Sequence, residues 1–179
     1  MKELYILIPD IQGKILVDAL VGFTAVAEHL NRTPKLIISS CSSICKARTD
    51  LVKRCSANKA LMLDSDIVIL NPKETAEAIL NAESQERDIV ARYNSPWGNG
   101  LTNFLFKGDG VDGNLTDAEL DKSRYVKWAG LGFYYGRVPQ NYVFNEGVNG
   151  EDHNFFIDNG IVPYYDATIK LLHKKTVYI

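Results

Sequence analysis

The first half of the chain alternates between short apolar runs and longer segments with helical spacing. Leu4 to Ile8 is an apolar run closed by Pro9, which predicts a buried strand. Ile15, Leu16, Ala19, Leu20, Phe23, Val26, Ala27 and Leu30 then recur at the spacing of one helix face, predicting a helix over 15–30. Asn31-Arg32-Thr33-Pro34 reads as a turn, and Lys35 to Ser39 as a second strand followed by a Ser/Cys-rich loop. Ser43 is placed to cap a helix running to about Cys55. Asn58-Lys59 leads into a third apolar run that carries Asp64. Asn71-Pro72 opens a helix from Pro72 to Asn81, with proline at a tolerated first-turn position, and Asp88 to Tyr93 is a further strand.

Strand and helix in strict alternation predict an α/β fold with a mostly parallel central sheet flanked by helices. Ligands of such sheets gather at the carboxyl ends of the strands. Pro9-Asp10, Ser39-Ser40 and Asp64-Ser65-Asp66 would all fall along that edge.

The pattern changes after residue 93. Residues 94–121 are rich in Gly, Asn and Asp, as in Trp97-Gly98-Asn99-Gly100 and Lys107-Gly108-Asp109-Gly110, and suggest a functional loop or lid. Asp109, Asp112 and Asn114 do not have the spacing of an EF-hand, and no Glu closes the loop, so a calcium site is rejected. Arg124 to Val138 is aromatic-rich and predicts two short strands around Gly130-Leu131-Gly132. Glu151 to Asp158 predicts a short helix entered through Asn149-Gly150. No internal repeat is present. The chain is expected to form one domain, with a nucleotide-binding half over 1–93 and a second half over 94–179.

Composition narrows the class. With 179 residues, 46% hydrophobic and 23% charged, the chain has the balance of a globular domain large enough for a real core. A net charge of −2 offers no attraction for nucleic acid or an acidic membrane. The N-terminal apolar run is too short for a signal peptide, and no stretch approaches the roughly 20 residues of a membrane helix. The expectation is a soluble, cytoplasmic protein. Cys41, Cys45 and Cys55 fit a reducing compartment. No partner pair completes a zinc set around them, so they read as small residues packed near a helix.

The chemistry centres on Asp64 and Asp66, which interrupt the run Leu61-Met62-Leu63-Asp64-Ser65-Asp66-Ile67-Val68-Ile69-Leu70. An unpaired buried carboxylate costs several kcal/mol, so the pair needs a cation, a basic partner or an exit to solvent. In an extended segment, side chains at i and i+2 share a face, and both acids could meet one divalent metal. The competing reading is a strand that ends in an Asp-rich turn.

Asp64-Ser65-Asp66 in the third βα unit resembles the Asp-x-Asp arrangement of GT-A glycosyltransferases, especially the family 2-like group. That resemblance implies a GT-A fold in which the two acids hold manganese or magnesium against the diphosphate of a nucleotide-sugar donor. Arg48, sixteen residues before Asp64, matches the arginine of an Ala-Arg-Asn segment on the nucleotide side. Its planar fork suits phosphate or carboxylate. Gly130 and Gly132 resemble the glycine-containing loop beneath the donor sugar, where absent side chains admit a close backbone approach. Gly150-Glu151-Asp152 resembles the x-Glu-Asp motif. It implies Asp152 as the base that deprotonates the acceptor hydroxyl, with Glu151 supporting the site; helix capping competes for both acids. His173 matches a C-terminal histidine that serves as a further metal ligand, and His153 is a weaker alternative. Pro9 and Asp10 stand where the family's first strand reaches the nucleotide. This chain lacks the family's Pro-x-Tyr-Asn there, and its second strand ends Ile37-Ile38-Ser39-Ser40 without base-contacting acids, which leaves the base open. Trp97 and Tyr93 are aromatics that could stack on a sugar, with core packing as the competing reading.

The implied activity is metal-dependent transfer of a sugar from a nucleotide-diphosphate-sugar to a hydroxyl on a glycan, protein or small molecule. A haloacid-dehalogenase-type phosphatase also ends a strand in Asp-x-Asp, but on its first strand. A nucleotidyltransferase would carry a Gly-rich basic loop after the first strand, which is absent here. A non-catalytic nucleotide- or sugar-binding module is the remaining alternative.

Overall fold

Strand β1 (Glu3–Pro9) divides its side chains between two cores. Leu4, Ile6 and Ile8 face one, and Leu7 faces the other. Strand β3 (Lys59–Leu63) repeats the division, with Leu61 and Leu63 on the first side and Ala60 and Met62 on the second. Period-two alternation with both faces apolar marks a sheet covered by helices on each side. The computed structural model describes residues 2–10, 13–95, 102–103, 105–106, 115–145, 147 and 150–174.

Helices α1 (Val17–His29) and α3 (Pro72–Ser84) cover the first face through Phe23, Val26, Ala76 and Ile79. Helices α2 (Ile44–Arg54) and α5 (Glu151–Asp158) cover the second through Leu51, Val52, Phe155 and Phe156. Each of these large apolar side chains contributes about 1.5–3 kcal/mol by leaving water. The packing that seats α2 and α5 is therefore strong. Ser43 caps α2 as expected, accepting from the Lys46 amide at 3.4 Å. Cys45 and Cys55 are buried, Cys41 is half-buried, and all three are free thiols.

The remaining elements are β2 (Thr33–Ser39), β4 (Ile67–Ile69), β5 (Ile89–Val90), β6 (Asn94–Ser95), β7 (Thr102–Asn103), β8 (Leu105–Phe106), α4 (Asp117–Leu120), β9 (Arg124–Tyr125), β10 (Trp128–Ala129), β11 (Phe133–Arg137), β12 (Tyr164–Tyr165) and β13 (Leu171–His173). The main sheet has the order β2-β1-β3-β11-β5-β12-β9. Strands β2, β1 and β3 are parallel neighbours, β12 is parallel to β5, and β11 and β9 run against their neighbours.

This is a mixed α/β fold, and it differs from the expected one in three ways. Five of the seven strands run the same way, but β11 from the second half lies between β3 and β5 and runs against both, and β9 runs against β12. The two halves thus share one sheet. The run that carries the aspartates is not one strand: β3 stops at Leu63, residues 64–66 turn, and β4 leaves to pair with β13. Three strands, not two, lie between Arg124 and Val138. Much of the Gly-rich segment, including Trp97, Asp109, Asp112 and Asn114, lies outside the described residues. No helix among the described residues is long and apolar enough to cross a membrane.

Candidate functional site

Asp64 is the first residue past β3, and its amide donates to the Gly132 carbonyl at 3.1 Å. That bond extends the β3–β11 ladder by one step and brings the Gly130-Leu131-Gly132 loop beside the aspartate. Ile67 N then donates to Asp64 O at 3.1 Å and closes a tight turn around Ser65-Asp66. A turn, unlike a strand, does not keep i and i+2 on one face. The two acids accordingly meet different partners. Asp64 faces Arg48, and Asp66 faces His173.

Arg48 projects from α2 and is only 2% exposed. Its Nη2 donates to Asp64 Oδ1 at 3.1 Å, and its Nη1 donates to Glu151 Oε1 at 2.9 Å and to Asp152 Oδ1. One guanidinium thereby joins the end of β3 to the first turn of α5. Both terminal nitrogens are engaged by carboxylates, one of the two kinds of partner its planar fork suits. Arg48 Nε is buried with no hydrogen-bond partner among the described residues.

Charge around Arg48 is unbalanced. Three carboxylates against one guanidinium leave two negative charges in excess. Burial lowers the guanidinium pKa, but Asp152, Asp64 and Glu151 together outweigh that and keep it protonated. Burial pushes Asp152 up to about 6, Glu151 and Asp64 add to the rise, and Arg48 and the Leu131 amide oppose it. Asp152 nevertheless keeps 23% of its side-chain surface open, so a ligand can reach it.

Gly132 sits where a close approach was expected, but what approaches is protein. The Gly132 amide donates to the Tyr93 hydroxyl at 3.2 Å, and a Cβ there would lie 2.4 Å from Tyr93 Cζ. Gly130 is buried and leads into Leu131, whose amide holds the Asp152 carboxylate. Tyr93 is therefore a core residue behind the loop, not a surface stacking platform. Burial first, then Asp64 and Asp152, hold its phenol well above the usual range, and it stays neutral. Tyr93 also meets the His173 ring edge-on, with centroids 6.0 Å apart. The core-packing reading of Tyr93 is the one the structure shows; what sequence reasoning missed is its hydrogen bond to the glycine loop and the hold of the Leu131 amide on Asp152. The available signal for Tyr93 was its position at the carboxyl end of a predicted strand.

His173 closes β13, opposite Ile67 of β4. Its Nε2 lies 2.8 Å from Asp66 Oδ2, and the Lys174 amide donates to Asp66 O at 2.9 Å. Among the described residues no three Asp, Glu, His or Cys side chains are grouped to hold a metal ion. The donor pair itself suits one: a hard carboxylate oxygen and an imidazole nitrogen already touch, and 36% of Asp66 is open. Magnesium and manganese sites commonly combine one or two protein ligands with substrate phosphates and water. Asp66 and His173 thus offer one carboxylate oxygen and one imidazole nitrogen side by side, while Asp64 is held one turn away on Arg48.

Pro9 and Asp10 reach the same edge, where Asp10 N donates to Ser39 O at 2.9 Å. Asp10 is buried, and its Oδ1 accepts from the Lys14 amide at 2.8 Å, which shapes the loop entering α1. His153 meets the Trp128 ring edge to face, with centroids 5.2 Å apart.

No family model matches the chain, and no curated protein matches it. Among solved structures it resembles A197 from STIV, with a TM-score of 0.63 at 15% sequence identity, over 98% of this chain and 86% of that one. At that identity the likeness shows the fold alone.

Proposed function

We propose that this chain is a GT-A-type glycosyltransferase. It moves a sugar from a nucleotide-diphosphate-sugar to a hydroxyl acceptor with the help of manganese or magnesium. The observation that carries this reading is Arg48, a buried guanidinium that gathers Asp64, Glu151 and Asp152 from the end of β3 and the start of α5. The cluster lies at the carboxyl edge of parallel strands, where α/β sheets take nucleotides. Acids concentrated there at net negative charge favour a site that works with a bound cation.

Asp66 and His173 would hold the metal, whose chemistry is to neutralise the charge that develops on the leaving diphosphate. The chain's own residues do the rest. Arg48 positions Asp64 and Asp152 relative to each other. The Leu131 amide orients the Asp152 carboxylate, and Glu151 beside it raises its proton affinity. In an inverting transfer, the acceptor oxygen forms a bond to the anomeric carbon as its proton passes to Asp152. The bond from that carbon to the diphosphate breaks, and the nucleoside diphosphate leaves with the electron pair. A carboxylate with a pKa of about 6 is ionised at neutral pH yet a better base than an ordinary aspartate.

The test is a thermal-shift and donor-hydrolysis screen of nucleotide sugars with and without manganese. Wild type is compared with Asp66→Ala and Asp152→Asn. A manganese-dependent stabilisation by one nucleotide class is expected, absent in Asp66→Ala and kept in Asp152→Asn, while transfer is lost in both. Phosphatase turnover with no nucleotide preference would overturn the proposal in favour of phosphoryl chemistry.

A further inference from the structure

A second concavity opens on the same edge of the sheet, two strands beyond Asp64. Strands β5 and β12 run parallel, so the residues after each emerge together at that edge, and β9 enters from it in the opposite direction. Between them lies an open cleft of about 310 Å³. Its floor is made of Tyr93, Tyr165 and Ile169, all buried. Among the described residues its polar rim carries Arg92, Lys170 and Asp121, with Asp166 also close to Tyr165.

The cleft is framed by cross-links. Tyr165 donates through its hydroxyl to Leu120 O at 2.8 Å, and Ala167 N donates to Ser123 Oγ at 2.9 Å. The backbone at Lys170 is tied on both sides, its amide to Asn71 Oδ1 at 2.8 Å and its carbonyl to Leu70 N at 2.9 Å. The lysine side chain is exposed on a segment that does not depend on it. Tyr93 belongs to both places, since its hydroxyl meets Gly132 beside Asp64 while its ring walls the cleft. Four acids lie at the β3–α5 end of the edge, and Arg92 and Lys170 lie at the β5–β12 end.

We propose that this cleft binds an oxyanion, the phosphate or carboxylate of a small hydroxyl acceptor, through Arg92 and Lys170. The acceptor assignment rests on the glycosyltransferase reading; the anion site does not. Arg92 offers the planar donor fork and Lys170 the mobile point charge that such groups take. An acceptor anchored there would sit on the same sheet edge as Asp64, two strands away. Its negative group would be held away from the acids of the β3–α5 end, which would otherwise repel it.

The probes are inorganic phosphate, glycerol 3-phosphate and glycerol, titrated at constant ionic strength and followed by backbone amide NMR. Wild type is compared with Lys170→Gln and Arg92→Gln. Phosphate and glycerol 3-phosphate are expected to shift the amides of Arg92 and of residues 167–171 saturably, and glycerol is not. Each variant should weaken binding about tenfold. No saturable shift there, or wild-type affinity in both variants, overturns the site. A parallel titration of a nucleoside diphosphate with manganese, read at Ile67 and His173, separates the two proposals. Phosphate binding at the cleft without nucleotide binding sinks the glycosyltransferase reading and leaves the anion site. Nucleotide binding with a silent cleft does the reverse.

Discussion

The Tyr93 hydroxyl accepts the Gly132 amide at 3.2 Å, and the space that a Gly132 Cβ would need is filled by the same ring. This pair fixes the loop that presents the Leu131 amide to Asp152 and the Gly132 carbonyl to Asp64. Adding Cβ at position 132 forces ring or loop to move, which typically costs about 1–3 kcal/mol. Gly132→Ala is expected to lose that much in urea denaturation. Tyr93→Leu should lose a similar amount, because it leaves a buried amide unpaired. The double variant should lose clearly less than the sum, since the smaller side chain relieves the clash. Additive losses would mean that the two residues do not share the constraint.

Arg48 contacts three carboxylates at once. Removing one partner of a buried ionic cluster is far more costly than replacing the whole cluster, about 3–5 kcal/mol. Arg48→Met is expected to lose this at pH 8. The loss should shrink at pH 5, where the acids can take up protons. Equal losses at both pH values, measured by chemical denaturation, would contradict the charge account.

Asp152 gives a pH dependence of definite sign. Its folded-state pKa of about 6 lies above its ordinary 3.8, so the folded chain holds more protons between those values. Stability supplied by this group is full below about pH 4 and lost as pH rises through 6. Asp152→Asn stays neutral throughout. Its stability relative to wild type should therefore improve from pH 4 to pH 7.5, by at most about 3 kcal/mol. A constant difference across that range would rule out the raised pKa. Transfer activity, where Asp152 is the base, should rise with pH through the same midpoint.

Asp66 and His173 make a metal prediction that needs no turnover. Manganese should broaden the NMR signals of the His173 ring and the Ile67 amide, and more strongly when a nucleoside diphosphate is present. Asp66→Ala and His173→Ala should each weaken the ion at least about tenfold, since even the loss of an outer-shell partner costs 10–100-fold. Broadening centred on residues near Arg48 instead would move the ion to Asp64.

Much of the scaffold was legible along the chain because it rests on local rules. The helices over 17–29, 44–54 and 72–84 follow from apolar spacing, a serine cap and a first-turn proline. The helix at Glu151 follows from its acidic first turn and aromatic face. The placement of β11 was not legible. Its aromatic run predicts a strand, but which neighbours it pairs with depends on contacts more than forty residues away. The turn at 64–66 was hidden for the same reason. Ile67-Val68-Ile69 looks like a continuation of β3 until β13 supplies another partner.

The sequence by itself determined the α/β class, which follows from periodicity, and singled out Asp64 and Asp66 through the cost of burying charge. Arg48, Glu151, Asp152 and His173 were singled out only by the resemblance to GT-A sequences. Only the tertiary structure decided the pairing. It gave Arg48 to three carboxylates instead of open solvent, separated Asp64 from Asp66, and joined Asp66 to His173 across 107 residues. It also put Tyr93 behind the glycine loop. Pairing of this kind depends on which surfaces the sheet order brings together, and no local pattern encodes that distance.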